Sequence, residues 1–351
     1  MELIGPTDHY RFRVSEEIEK WISTLKEVIN DFIEALPEDA IKFNQDDAKR
    51  VGGFDFPNGA SYFGEWENGK IEGEGCWKSL GGEYIGSFVD GKRHGNGEFK
   101  YCTGGTYTGQ WRDGKCSGRG KLEYPSGIVY QGEFENGMKH GQGTINFENG
   151  DTYEGSWAFD KPDGVGSIYF HSGPSAGTIY AGNWENGRYN HYGVLTTKSG
   201  QRYEGMWVNG IREGKGRMTW SENCYYDGGW KGGLRDGHGV YYNSYEGKYD
   251  GDWIADVKEG KGTMEFISGC VYIGLWKRGA FHGPGKLIYP AGAVRIYDGE
   301  WQNGRKHGKG ILHLLSGDNY EGFFKDDLVC LFSFLKKYLF ILQKCEIYCN
   351  N

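Results

Sequence analysis

Tyr130–Trp157 reads YQGEFENGMKHGQGTINFENGDTYEGSW, and its last five residues, Tyr153–Trp157, restate its first five, Tyr130–Phe134. An aromatic-x-Gly-x-aromatic phrase returning at a fixed interval is the mark of a repeated structural unit. Tyr130, Gly132 and Phe134 share one face of a period-two segment while Gln131 and Glu133 take the other, as a half-buried strand requires. Asn136-Gly137 follows, a pair that tolerates positive φ at both central positions of a type I′ hairpin turn. The returning segment alternates again, with Gly141, Gly143, Ile145 and Phe147 in one frame. The unit therefore reads as a β-hairpin whose glycines leave room for rings across the strands.

Working outward, the phrase Tyr-x-Gly-x-aromatic begins at Tyr62, Tyr84, Tyr107, Tyr130, Tyr153, Tyr180, Tyr203, Tyr226, Tyr249, Tyr272, Tyr297 and Tyr320, mostly 23 residues apart. Three units depart from the pattern. Asp160 and Asp256 stand where the turn glycine is expected, and Tyr189-Asn190-His191-Tyr192 precedes Gly193, so these hairpins are expected to be distorted. One hairpin alone is marginal in water, so the units must stack with nearest-neighbour packing. The expected fold is an all-β repeat: an elongated, twisted single antiparallel sheet of stacked β-hairpins, about 115 Å long at about 4.8 Å per strand, with a short N-terminal amphipathic helix.

Residues 51–62 match the second half of a unit, which places the array at 50–327. Residues 1–49 form an expected helical segment, with Ser15 as N-cap and Ile18, Ile22, Leu25, Ile29, Phe32 and Leu36 as its apolar stripe. Residues 328–351 break the repeat with LVCLFSFLKKYLFILQKCEIYCNN. Leu328, Leu331, Leu335, Leu339 and Leu342 keep helical spacing. Lys336 and Lys337 would each cost about 2.5–3.5 kcal/mol at a membrane centre. A helix closing the sheet end is the first reading, an interfacial membrane helix the second, and a truncated or alternative chain end the third.

Composition removes several function classes. The chain has 351 residues, and its 61 glycines against 8 prolines do not fit collagen, while 16% aromatics do not fit a flexible linker. A net charge of −8 gives no general attraction for nucleic acid. Eight cysteines without a CxxC pair, and the opening MELIGPTDHYRFRV without a signal-peptide pattern, point to a reduced, cytoplasmic protein. His94, His140, His282 and His307 share one slot, but units about 10 Å apart cannot share a zinc ion. Carboxylates such as Glu133 and Glu135 repeat, whereas a catalytic pair is singular. With no GxxxxGK[ST], HExxH or GxSxG context, no catalytic residue, metal or cofactor is expected.

The unit Tyr-x-Gly-x-Trp/Phe-x-Asn-Gly-x-x-His-Gly-x-Gly resembles the MORN repeat from residue 62 to about 325. The resemblance, which extends to the radial spoke head type among others, implies a scaffold or dimerising rod rather than a catalyst. It also implies cytoskeletal or axonemal protein partners and a cytoskeletal or ciliary (flagellar axoneme) location. Two surfaces follow from the residues. A half-exposed aromatic row, represented by Tyr107, Trp111, Tyr130, Phe134, Tyr153, Trp157, Tyr203 and Trp207, is expected to bind protein, including a second copy in a homodimer. A basic row after the turns, represented by Lys70, Lys92, Arg93, Lys115, Lys139, Arg305 and Lys306, is expected either to hold acidic phospholipid headgroups or simply to protect hairpin tips. The leading expectation is a non-catalytic scaffold for a ciliary or cytoskeletal complex. The alternatives are a membrane tether and a regulatory module for an enzyme supplied in trans.

Overall fold

The computed structural model describes residues 49–329. The expected helix over residues 15–36 and the apolar segment beyond Val329 lie outside the described residues. Within them the chain is all β, with twenty-five antiparallel strands in one open sheet and no helix. The described chain divides into two compact units, residues 49–191 and 192–329.

In the first unit, strand Val129–Glu135 pairs with Met138–Asn146 across the Asn136-Gly137 turn, with Tyr130 opposite Ile145 and Gly132 opposite Gly143. On its other side the same strand pairs with Lys115–Glu123, placing Gly132 opposite Gly120 and Tyr130 opposite Leu122. Glycine pairs continue strand after strand, through Gly143–Gly155, Gly155–Gly166 and Gly166–Gly182. A residue without Cβ thus recurs at one level of every strand. In the second unit the same register runs from Gly205–Gly216 to Gly310–Gly322.

That glycine row is where the tyrosine rings lie. A Cβ added to Gly143 would overlap the Tyr130 hydroxyl and approach its ring carbons to 2.6 Å. Each ring is pinned at its tip, as where the Tyr130 hydroxyl donates to the Glu133 carbonyl at 2.9 Å. The next aromatic then covers it edge-on. Tyr130 meets Phe134 at 5.1 Å and Trp157, one unit later, at 5.2 Å, in the T-shaped geometry aromatic pairs favour. In each unit the core is a ladder of such contacts on one face of the strands.

The departing hairpins keep the regular geometry, correcting the expected distortion. Phe159-Asp160 and Ala255-Asp256 take φ of 50° and 65°, and 47° and 68°, matching the 53° and 83° of Asn136-Gly137. His191 takes φ 54° in the slot where Gly141 has 58°. Neighbouring strands constrain each turn so strongly that non-glycine residues are held in the left-handed region despite its steric cost.

Candidate functional site

The aromatic residues expected to form a half-exposed binding row are core residues. Tyr107, Trp111, Tyr130, Phe134, Tyr153, Trp157, Tyr203 and Trp207 are all at most 5% exposed. The expectation of half-exposure is therefore corrected. Glycine on one side and the next unit's ring on the other close each aromatic off, and the indoles are tied to backbone, as where Trp157 Nε1 donates to the Gly143 carbonyl at 3.0 Å.

The basic row is likewise two sets of residues. Lys70, Lys92 and Arg305 open their returning strands and are exposed, and Lys115 in the same slot is half-buried. Lys70 is paired with Asp90 at 2.6 Å. Arg93, Lys139 and Lys306 stand one residue later, so strand alternation turns them onto the aromatic face. Arg93 and Lys139 are only 4% exposed, which corrects their expected placement on an open basic edge.

Arg93, Lys139, Arg235 and Lys258 each lie over the ring of their own unit's tyrosine and that of the next unit's tryptophan, and their polar contacts differ. The Arg93 guanidinium lies 4.2 Å from the Trp111 ring centroid and donates to the Gly114 carbonyl at 2.9 Å. Burial pulls its pKa below the ordinary arginine value. Lys139 Nζ reaches the Tyr124 hydroxyl at 3.1 Å and Asp160 Oδ1 at 3.4 Å. Burial opposes its charge, yet Tyr124 and Asp160 outweigh burial and raise its pKa.

A rule links the inward cations to the departing turns. Each non-glycine residue in the second turn position is an aspartate: Asp160, Asp256 and Asp327. Each accepts a hydrogen bond from the backbone N–H of an inward cation one hairpin earlier, Lys139, Arg235 and Lys306 respectively, always at 2.9 Å. Arg235 adds an ion pair from Nε at 2.8 Å. Sequence reasoning missed Arg235 and Lys258 as members of this set. Counting two residues on from each turn, in frame with the Gly-x-Gly pair, would have found both.

The residue after the inward position, where the histidines recur, is a carboxylate in several other units. Glu72, Asp163, Glu213 and Glu259 accept the first N–H of the following turn, from Asp90, Asn186, Gly232 and Arg278, at 2.8–3.0 Å. His94, His140, His282 and His307 occupy that slot in other units. His282 and His307 have a buried Nδ1 without a partner. Among the described residues no group of three or more His, Cys, Asp or Glu is placed to hold a metal ion.

The opposite face of the sheet mixes polar residues with exposed apolar ones such as Phe63, Ile85, Val165 and Ile273. In the first unit it forms an open trough of about 520 Å³ lined by Thr108, Arg119, Lys121, Gln131, Thr144 and Glu154 among others. Its charges are mixed in sign. Among the described residues no helix is long and apolar enough to cross a membrane.

Comparisons with known proteins bear on this geometry. A search of curated proteins finds no match. Among solved structures, the G-box domain of the microcephaly protein CPAP is similar at 12% identity and a TM-score of 0.33, covering 59% of this chain and all of that one. The TCP10 domain of Danio rerio CPAP aligns at 12% identity and a TM-score of 0.26, covering 78% of this chain and all of that one. At these scores the likeness carries no functional argument. The family model for the MORN repeat matches eleven segments: residues 62–79, 84–106, 107–129, 130–152, 153–175, 180–202, 203–225, 226–244, 249–271, 272–294 and 297–318. These segments take up more than half of the chain and coincide with the hairpins described above, so the chain belongs to the MORN-repeat family.

Proposed function

We propose that this protein is a non-catalytic scaffold that organises a cytoskeletal or ciliary assembly through its repeat array. The observation that carries the reading is repetition itself. Inward-facing charged groups hold turns and rings, as in the Lys139–Asp160 and Arg235–Asp256 pairs. The fold-determining tyrosines and glycines recur while the residues around them vary, which suits a protein that presents many contacts rather than one reaction centre.

Co-sedimentation of the full chain with purified axonemes and with microtubules tests this. The expected outcome is saturable recovery with the polymer fraction. A chain that stays in the supernatant with both preparations, and retains no axonemal or cytoskeletal protein on affinity capture, would sink the scaffold reading.

A further inference from the structure

The inward face differs between the two units in the same structural slots. In residues 49–191 the second residue after each turn is buried: Ile71, Arg93, Cys116, Lys139 and Tyr189 are at most 6% exposed. In residues 192–329 the equivalent Arg212, Arg235, Lys258, Phe281 and Lys306 are half-buried; Trp220, Tyr241 and Phe266 further along the same face are half-buried too, as are Phe147 and Phe170 in the first unit. One unit thus keeps an open face made of a cationic row beside an apolar and aromatic one.

The cations in that row are unequally neutralised. Arg235 is paired with Asp256. Lys258 Nζ sits 4.9 Å from the Tyr249 ring centroid and 5.2 Å from that of Trp276, with the Met264 sulfur at 3.9 Å as its hydrogen-bond partner. Its turn partner one hairpin later is Gly279, which offers a backbone N–H to the Lys258 carbonyl at 3.0 Å and no carboxylate. Lys306 Nζ lies 5.7 Å from the Tyr297 centroid. Among the described residues neither ammonium forms an ion pair. Burial pulls the Lys258 pKa below the ordinary lysine value, so a carboxylate brought against it is favoured.

We propose that the inward face of residues 192–329 is a docking surface for an acidic amphipathic helix of a partner protein, with its carboxylates on Lys258 and Lys306 and its apolar stripe on Tyr241, Phe266 and Phe281. The spacing fits that occupant. The inward slot recurs every two strands, about 10 Å, and Phe281 fills the slot between Lys258 and Lys306, so the two ammonium groups stand about 19 Å apart, close to the rise of about 21 Å over two heptads of α-helix. A helix laid across the strands therefore brings acidic residues two heptads apart to the two ammonium groups, beside an apolar seam that includes Phe281. Charge selects the sign of the partner, because the open row carries two ammonium groups without a counter-ion. This inference rests on the scaffold reading and names the class of partner it would take.

The test uses the full chain and a labelled synthetic helix of about 21 residues with leucine at two positions per heptad and glutamate at the flanking position, alongside a twin carrying lysine in place of glutamate. Fluorescence anisotropy is expected to show saturable binding of the acidic peptide and about tenfold or weaker binding of the twin. Lys258→Glu combined with Lys306→Glu is expected to weaken the acidic peptide about tenfold or more, with Lys121→Glu on the opposite face leaving it unchanged. Should the glutamate variant unfold, Lys258→Met with Lys306→Met supplies the same comparison, with a smaller loss expected. Equal binding of both peptides, or full affinity in the folded methionine variant, overturns the proposal. So does a clear preference for vesicles containing phosphatidylserine over the peptide, which would make the face a lipid site. Binding seen only after residues 1–48 are deleted also overturns it, because the occupant of the face would then be a segment of this chain rather than a partner. If the double variant still co-sediments with axonemes, the scaffold reading stands and this face is not its site.

Discussion

Gly143 carries a hydrogen where any side chain would meet the Tyr130 ring, and the same relation holds at Gly120 with Tyr107 and Gly216 with Tyr203. Replacing Gly143 with alanine forces the ring off the backbone and uncouples it from both edge-on neighbours. The expected cost is about 2–3 kcal/mol, in the range of overpacked cores. Chemical denaturation of Gly143→Ala against the parent checks this, with Gly137→Ala as a contrast: there a Cβ meets no atom and the cost is confined to positive φ. Equal losses at the two positions would refute the packing account.

At the scale of the hairpin, the aspartate turns make two opposed expectations. Ala255 holds φ 47° without a functional side chain, so Ala255→Gly should relieve strain and raise stability by about 1 kcal/mol. Asp160→Gly relieves similar strain but leaves Lys139, 4% exposed, without its carboxylate. The net effect should be destabilising by about 3 kcal/mol, as for other buried pairs broken on one side. Thermal unfolding of the two variants should shift Tm in opposite directions. A rise in both would show that these aspartates are tolerated substitutes for glycine rather than partners of the inward cations.

At the scale of the molecule, eleven motif tyrosines from Tyr62 to Tyr297 are buried. Burial raises the pKa of every one, Tyr226 to about 12. An unfolded phenol titrates near about 10. Below that value both states are protonated and the contribution is complete. Above it the unfolded chain loses protons first, so stability falls as pH climbs through the interval up to the folded values. Lys258, with its depressed pKa, works in the opposite sense as one group against eleven. Denaturant midpoints measured from about pH 8 to about pH 11 should decline slightly as the buried Cys116 thiol, pushed up to about 12, loses its contribution, and then fall steeply beyond pH 10, in step with phenolate absorbance. A midpoint unchanged at the alkaline end would contradict the tyrosine ladder.

The repeat interval, the hairpin turns and the placement of glycine beside rings were legible in Tyr130–Trp157, because strand alternation and turn chemistry act over a few residues. Tertiary packing decided which side chains remain accessible. The motif aromatics read as a binding row until the following unit's ring closes over each one. The cations after the turns read as one basic edge until alternation sends Lys70 outward and Arg93 inward. Asp160 and Asp256 read as defects until Lys139 and Arg235, a full hairpin earlier in the chain, supply their partners. Local pattern determines the unit, whereas exposure and charge pairing depend on contacts between residues about a repeat apart, which no single unit contains.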